Sequence, residues 1–313
     1  TLCAGGNRTR KTRQIATVSE GETVKKTSFL ALAVLVAGAP AWAGIVIGGE
    51  ITIFDGSYVP TSSNTWYNTQ NEDQEVEYNC VTGQLWDLEA FYLDTNNVLT
   101  MVGGYDFENG VSGAPDGSWS YGDLFIDVDG DAVYGPAASA ISNGSEGTNP
   151  DTLANTFGYE YVLAYTGAED GAGNPLYTAF YLDPNDTTLL VYYNQNDESN
   201  PWRYFSGGQS LFSGSFTYTT GLGDDLDGDG SADVLGGSHN AVQVDLDWLW
   251  DYQGTNWNGI ITTHFTQECG NDNLMGRGEL VYDPGTPVPE PASITLMGLG
   301  IALVAVARMR KAA

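Results

Sequence analysis

Residues 44–283 are predicted to form one all-β domain, a β-sandwich or jelly-roll-like arrangement, and three observations lead to that fold class. Val242-Gln243-Val244-Asp245-Leu246-Asp247-Trp248 and Glu75-Val76-Glu77-Tyr78-Asn79-Cys80 alternate apolar and polar residues at period two, as strands with one buried and one wet face do. Roughly a dozen such short runs recur between turn-forming clusters such as Asn109-Gly110, Asp170-Gly171 and Asp183-Pro184-Asn185, the spacing of sandwiches and barrels. No segment carries an apolar stripe at the helical period.

In chain order, further strands are predicted over 45–54, 85–93, 99–103, 123–127, 159–165, 177–182, 188–193, 212–219 and 279–282. Each is rich in β-branched or aromatic residues and ends at Gly, Asn, Asp or Pro. Residues 135–155, small and polar, read as a long surface loop, and the Pro-rich 284–291 as an extended stalk.

The charge distribution narrows the choice of partners. Six of the 11 Lys+Arg (Arg8, Arg10, Lys11, Arg13, Lys25, Lys26) precede residue 27 and three (Arg308, Arg310, Lys311) close the chain, leaving Arg203 and Arg277 between. Of the 40 Asp+Glu only Glu20 and Glu22 lie outside residues 44–290, so that span holds 38 acids against two bases, a formal charge of −36. Such a surface repels nucleic acid and anionic polymers and attracts divalent cations. The competing reading is a solvated acidic coat suited to a saline medium, where salt screens self-repulsion.

Both ends read as targeting segments. Lys25 and Lys26, the apolar run 29–39 and Ala41-Trp42-Ala43 form a signal peptide over 24–43, with signal peptidase expected to cut between Ala43 and Gly44. Residues 1–23 are expected to be an untranslated or disordered leader, with Val24 as the start. At the other end Pro289-Glu290-Pro291 precedes the apolar residues 294–307 and Arg308-Met309-Arg310-Lys311. This tail resembles the PEP-CTERM sorting signal. The resemblance implies an exosortase as partner, passage through the inner membrane, and delivery to the cell surface or an extracellular biofilm or exopolysaccharide matrix. Residues 292–307 would make a helix of about 24 Å, short for a hydrocarbon core of about 30 Å, and the basic cluster should stay cytoplasmic. The alternative is a plain anchor that is never processed. Within the body, Trp86-Asp87-Leu88-Glu89-Ala90, Gly122-Asp123-Leu124-Phe125-Ile126-Asp127 and Cys269-Gly270-Asn271-Asp272 are similar to elements of other exosortase-sorted β-proteins, without implying an activity.

Cys80 and Cys269 are the two cysteines of the exported body, and an oxidising compartment favours one disulfide between them. Closing a loop of roughly 190 residues would contribute about 4–5 kcal/mol on the chain-entropy model. Cys80 would share an inward face with Val76 and Tyr78, and Cys269 one with Ile261 and Phe265. Two buried thiols are the alternative.

The clearest ligand constellation is Asp225-Leu226-Asp227-Gly228-Asp229-Gly230-Ser231-Ala232-Asp233. Carboxylates at relative positions 1, 3, 5 and 9, with Gly at 6 for the turn, can wrap oxygens around one Ca²⁺, and the run resembles the calcium loops of thrombospondin type 3 and integrin-type repeats. Gly236 stands where an EF-hand has Glu. Asp127, Asp129 and Asp131 repeat the 1, 3, 5 spacing more weakly, with Ala132 at the turn position. An acidic turn that binds nothing tightly is the competing reading for each.

Catalytic motifs are missing: the body has no Lys, no Gly-x-Ser-x-Gly and no His-Glu-x-x-His, and its histidines are His239 and His264, the latter expected on the polar side of its strand. Among 38 acids, a carboxylate pair for glycoside hydrolysis is defined by separation in space and stays open. Aromatic runs at Trp248-Leu249-Trp250-Asp251-Tyr252 and Trp202-Arg203-Tyr204 could stack on sugars or simply fill a core. The expectation is a non-catalytic, calcium-stabilised surface protein with an adhesive or structural role, contacting polysaccharide or other matrix components. A carbohydrate-binding module and a polysaccharide-active enzyme are the alternatives.

Overall fold

The computed structural model describes residues 44–53, 83–114, 117–119, 121–135, 137–138, 151–183, 189–192, 199–268 and 270–283. The expected leader, the expected signal peptide with Ala43, the 75–80 run, Cys80, Cys269, Pro289-Glu290-Pro291, residues 292–307 and Arg308, Arg310 and Lys311 lie outside them. Among the described residues no helix is long and apolar enough to cross a membrane.

Period-two alternation produces strands as expected, and these pair into antiparallel sheets. A five-stranded sheet runs β1 (Gly49–Glu50), β2 (Leu88–Leu93), β3 (Val98–Gly103), β14 (His239–Asp245), β13 (Thr217–Leu222). A six-stranded sheet runs β12 (Gln209–Ser215), β9 (Pro175–Tyr181), β8 (Tyr161–Glu169), β6 (Leu124–Asp127), β15 (Ile260–Thr266), β16 (Asn273–Glu279). Smaller sheets join β4 (Val111–Ala114) to β5 (Gly117–Trp119), and β11 (Arg203–Ser206) through β10 (Leu189–Tyr192) to β7 (Asp151–Ala154). On β14, Val242 and Val244 are buried while Asp245 is exposed. They join Leu88, Phe91 and Met101 in one cluster with Ile126, Leu163, Ile261 and Phe265 of the six-stranded sheet, so the two large sheets share a core.

Two crossings bind the sheets at opposite margins. The segment after β1 lies between them: Ile51 N–H donates to Phe91 O (2.8 Å) on one side, and Arg277 N–H donates to Ile51 O (2.8 Å) on the other. The strand predicted over 45–54 is therefore a two-residue strand followed by a shared bridging segment. The strand predicted over 212–219 divides at Phe216, where the chain leaves β12 in one sheet for β13 in the other. Phe216 is 1% exposed and stacks on Tyr165, with ring centroids 4.6 Å apart. Burying that ring stabilises the corner by about 2–3 kcal/mol.

Other departures have local causes. β16 covers Asn273–Glu279 and ends where the strand 279–282 was expected to start. Part of the expected loop 135–155 is β7. The period-two run through Trp248 continues into a short helix, α1 (Trp248–Gln253), that Gly254 ends at φ 78°. Its aromatic content reads as strand; burial of Leu249 in the main core places it as a helix. β15 ends at Thr266, and Gly270 N–H donates to Gln267 O (2.8 Å) just beyond it.

Each large sheet is also covered on its outer face. Phe125, Val162, Phe157, Tyr159 and Leu182 cluster on one, where Tyr204 of β11 stacks on Phe180 at 4.5 Å. Ala90, Val102 and Ala241 meet Leu226 and Val234 on the other. This second layer explains His264, which is fully buried and not on a polar face. Its ring lies 5.8 Å from that of Tyr159, and burial lowers its pKa to about 4.

Candidate cation-binding loops

Among the described residues two loops gather three or more carboxylates, and each follows a strand. The first follows β13. Asp225 Oδ1 accepts the Gly228 N–H (2.8 Å) and Oδ2 the Gly230 N–H (2.9 Å), Asp227 accepts from Asp229 (2.9 Å), and Asp229 from Ser231 (2.7 Å). These bonds turn the side chains of Asp225, Asp227 and Asp229 toward one another, each offering an oxygen within 4.8 Å of the others. Asp233 sits apart from that trio and closes the loop: its Oδ2 accepts the Leu226 N–H at 2.8 Å. Burial, then the neighbouring Asp227 and Asp229, raise the Asp233 pKa against the backbone donors that lower it. Leu226 is fully buried, so the second residue of the loop is an apolar peg driven into the sheet's outer face.

The second loop follows β6 and repeats this frame. Asp127 Oδ1 accepts from Gly130 (2.8 Å) and Oδ2 from Ala132 (3.4 Å), at the same offsets of three and five residues, and Asp129 accepts from Asp131 (3.3 Å). Val128, 6% exposed, is the peg. Its N–H, the counterpart of Leu226 N–H, donates to Glu160 Oε2 at 2.9 Å. Glu160, just before β8, thus occupies the role of Asp233, which this loop lacks because Gly135 stands at position 9. The four carboxylates of Asp127, Asp129, Asp131 and Glu160 each place an oxygen within 4.8 Å of the rest.

Electrostatics separates the loops. Asp127 is 1% exposed. Burial, followed by the charges of Asp129, Asp127 and Asp131, pushes the Glu160 pKa up to about 8 against the Val128 hydrogen bond. Asp131 is raised by burial and by Asp129 and Asp127. Carboxylates packed this closely repel until a proton or a cation compensates them, and oxygen-only donor sets of this kind suit Ca²⁺.

The hydrogen-bond frame of the second loop forms with Ala132 at the sixth position. The left-handed residue common to both is the fourth, Gly130 at φ 90° and Gly228 at φ 81°. Glu160 lay beyond any spacing rule, since 29 residues separate it from Asp131. The sole signal was an acid flanked by Tyr159 and Tyr161 at a strand start.

The aromatic runs divide. Trp202 is 5% exposed and belongs to the interior, whereas Tyr252 and Tyr282 are 48% and 44% exposed beside Trp248 and Trp250. Trp257 Nε1–H donates to Val128 O (2.9 Å), tying this aromatic end to the second acidic loop.

Fold and loops together define an acidic antiparallel β-domain with two carboxylate-lined loops. Its destination is set by the tail: residues 287–311 match the PEP-CTERM protein-sorting motif. The motif implies processing by exosortase, export, and a cell-surface or extracellular location. No curated protein and no solved structure matches the chain.

Proposed function

We propose that this exosortase-targeted surface protein is a non-catalytic β-sandwich, stabilised by Ca²⁺ in both acidic loops, with an adhesive or structural role in a biofilm or exopolysaccharide matrix. The observation that carries it is the shared hydrogen-bond frame: two loops nearly 100 residues apart hold their carboxylates at the same offsets, and Glu160 restores what position 9 lacks. Oxygens held this way offer the multiple ligands Ca²⁺ requires, and the dense negative charge opposes closure without it. Transient residence in the inner membrane through residues 292–307, cleavage after Ala43 by signal peptidase, and a Cys80–Cys269 disulfide complete the proposal.

A Ca²⁺ titration followed by thermal unfolding tests it. At 100 times Kd one site adds about 2.7 kcal/mol, which raises Tm by roughly 5–10 °C for a domain of this size. An unchanged Tm between chelator and millimolar calcium rejects the calcium assignment. The exposed Tyr252 and Tyr282 rings favour carbohydrate binding as a second reading. Binding on a glycan array, lost in a Tyr252→Ala/Tyr282→Ala variant, would establish it.

A further inference from the structure

His239 Nε2 lies 2.7 Å from Glu89 Oε1, and both side chains are fully buried. Among the described residues, every hydrogen-bonding neighbour of the His239 ring nitrogens is an acceptor. Nε2 faces Glu89 Oε1 and Leu235 O (2.7 Å); Nδ1 faces Gly223 O (3.2 Å), with Asp224 Oδ1 at 3.9 Å. A neutral imidazole has one N–H and would set its other lone pair against oxygen lone pairs; imidazolium has two N–H donors and satisfies both sides. His264 is the contrast: Nε2 meets Pro201 O (2.9 Å) while Nδ1 lies against Met275 Sδ (3.0 Å), so a single N–H serves it.

The two carbonyls that His239 grips, Gly223 O and Leu235 O, are the stems of the first acidic loop, one on each side of Asp225, Asp227, Asp229 and Asp233. Glu89 braces the same place from β2, accepting from Leu235 N (3.3 Å) and from Gln84 Nε2 (2.7 Å). One ring therefore ties together two points twelve residues apart, across a segment whose carboxylates repel.

We propose that the buried His239–Glu89 pair is a proton-dependent clasp that keeps the Asp225–Asp233 loop closed and preorganised for its cation. His239 is thus a positioning residue for that site, and the idea rests on the calcium reading above. Two locks then hold one loop: the protonated clasp and the bound cation. With either engaged the loop is closed; with both released, carboxylate repulsion opens it.

The direction with pH follows. Burial opposes the charge on His239, but the hydrogen bond and attraction of Glu89, with the Leu235 and Gly223 carbonyls, outweigh it and raise the pKa above the ordinary histidine value. The facing charged groups are Glu89 on β2 and Asp224 in the loop. The clasp is fully present below about 6.5 and is lost as pH rises through the raised folded value.

Two measurements on the exported domain test the clasp. Side-chain ¹⁵N spectra, assigned with a His264→Gln variant, should show His239 doubly protonated at pH 7 and His264 neutral. Amide exchange, corrected for its intrinsic pH dependence, should then be followed in chelator across the His239 titration. Protection of the Leu226, Gly228 and Gly230 amides should fall at least tenfold more than that of Val242, and millimolar Ca²⁺ should abolish the fall. Glu89→Gln, which keeps the shape and removes the charge, should move loop opening down by a pH unit or more. A neutral His239 at pH 7, a loop whose protection ignores the titration, or an unmoved midpoint in Glu89→Gln overturns the clasp. Calcium that protects the loop at no pH overturns the cation reading and leaves the pH-dependent opening in chelator standing.

Discussion

The loop of Asp225, Asp227, Asp229 and Asp233 is built from one stretch of chain, while its counterpart of Asp127, Asp129 and Asp131 borrows Glu160, the residue that precedes β8. Both solve the same problem, orienting acids around one point by spending their oxygens on backbone N–H groups. The first is local and open to solvent, with Asp227 and Asp229 exposed; the second is knitted into the fold, with Asp127 inside and Glu160 pressed against it. A borrowed carboxylate would tie a cation held there to tertiary structure, so the second loop should respond more to folding and to pH, and the first more to local stiffness.

Deleting the leading acid of each loop should separate them most. Asp127→Ala removes the acceptor for the N–H groups of Asp129, Gly130 and Ala132 at a buried site and should cost about 2–4 kcal/mol in chelator. Asp225→Ala strands two N–H groups that water can reach and should cost about 1 kcal/mol. Urea unfolding of both variants reads the difference, and equal costs would erase the distinction between knitted and local.

Exchanging charge at the closing residue should sharpen it. Glu160→Gln keeps an oxygen for Val128 N–H while relieving repulsion from Asp129, Asp127 and Asp131. In chelator at pH 8 the variant should match or exceed the parent in Tm, yet bind Ca²⁺ about tenfold or more weakly by calorimetry at that loop. Asp233→Asn should weaken binding less, since Asp233 stands outside its trio.

The pH dependence carries a definite sign. The folded pKa of Glu160 rises from 4.5 to about 8, chiefly by burial. Asp123 rises from 3.8 to about 7, again by burial, against hydrogen bonds from Tyr165 and Tyr204 N–H and the nearby Arg203. The folded state holds these protons more tightly, so their contribution is fully present below about pH 4 and is lost as pH rises through about 7–8. Calcium-free protein should therefore melt lower at pH 8 than at pH 5.5, and Glu160→Gln should flatten that trend. A Tm that climbs with pH in chelator would contradict the assignment.

The smallest expected effect tests what the loops have in common. Gly130→Ala meets no steric obstacle, since nothing lies within 4 Å of the added Cβ, but Gly130 and Gly228 both have positive φ. Gly130→Ala and Gly228→Ala should each cost about 1 kcal/mol, and the two costs should agree.

Much of this was legible in residue order, wherever the physics is local. Alternation marked β14 because a strand's side chains change face at every step, and the spacing of Asp225, Asp227 and Asp229 marked a loop because carboxylates two apart can bond to backbone two and three residues on. The sorting tail was legible too, as it is read as a linear segment. Misreadings arose where two elements compete for one residue. Phe216 could not be seen as a corner, because its burial depends on Tyr165 and Tyr177. His264 reads as polar-facing because its neighbour Phe265 faces the core, whereas Phe125 and Tyr159 cover the opposite face as well.

The chain's own order therefore settled its sorting motif, its charge and its strand-and-turn grammar, each a property of neighbours along the backbone. Glu160 entering the second loop and His239 finding Glu89 were settled by folding alone. Strand pairing chooses those partners across 29 and 150 residues, and burial then gives their charges a strength that no spacing along the chain encodes.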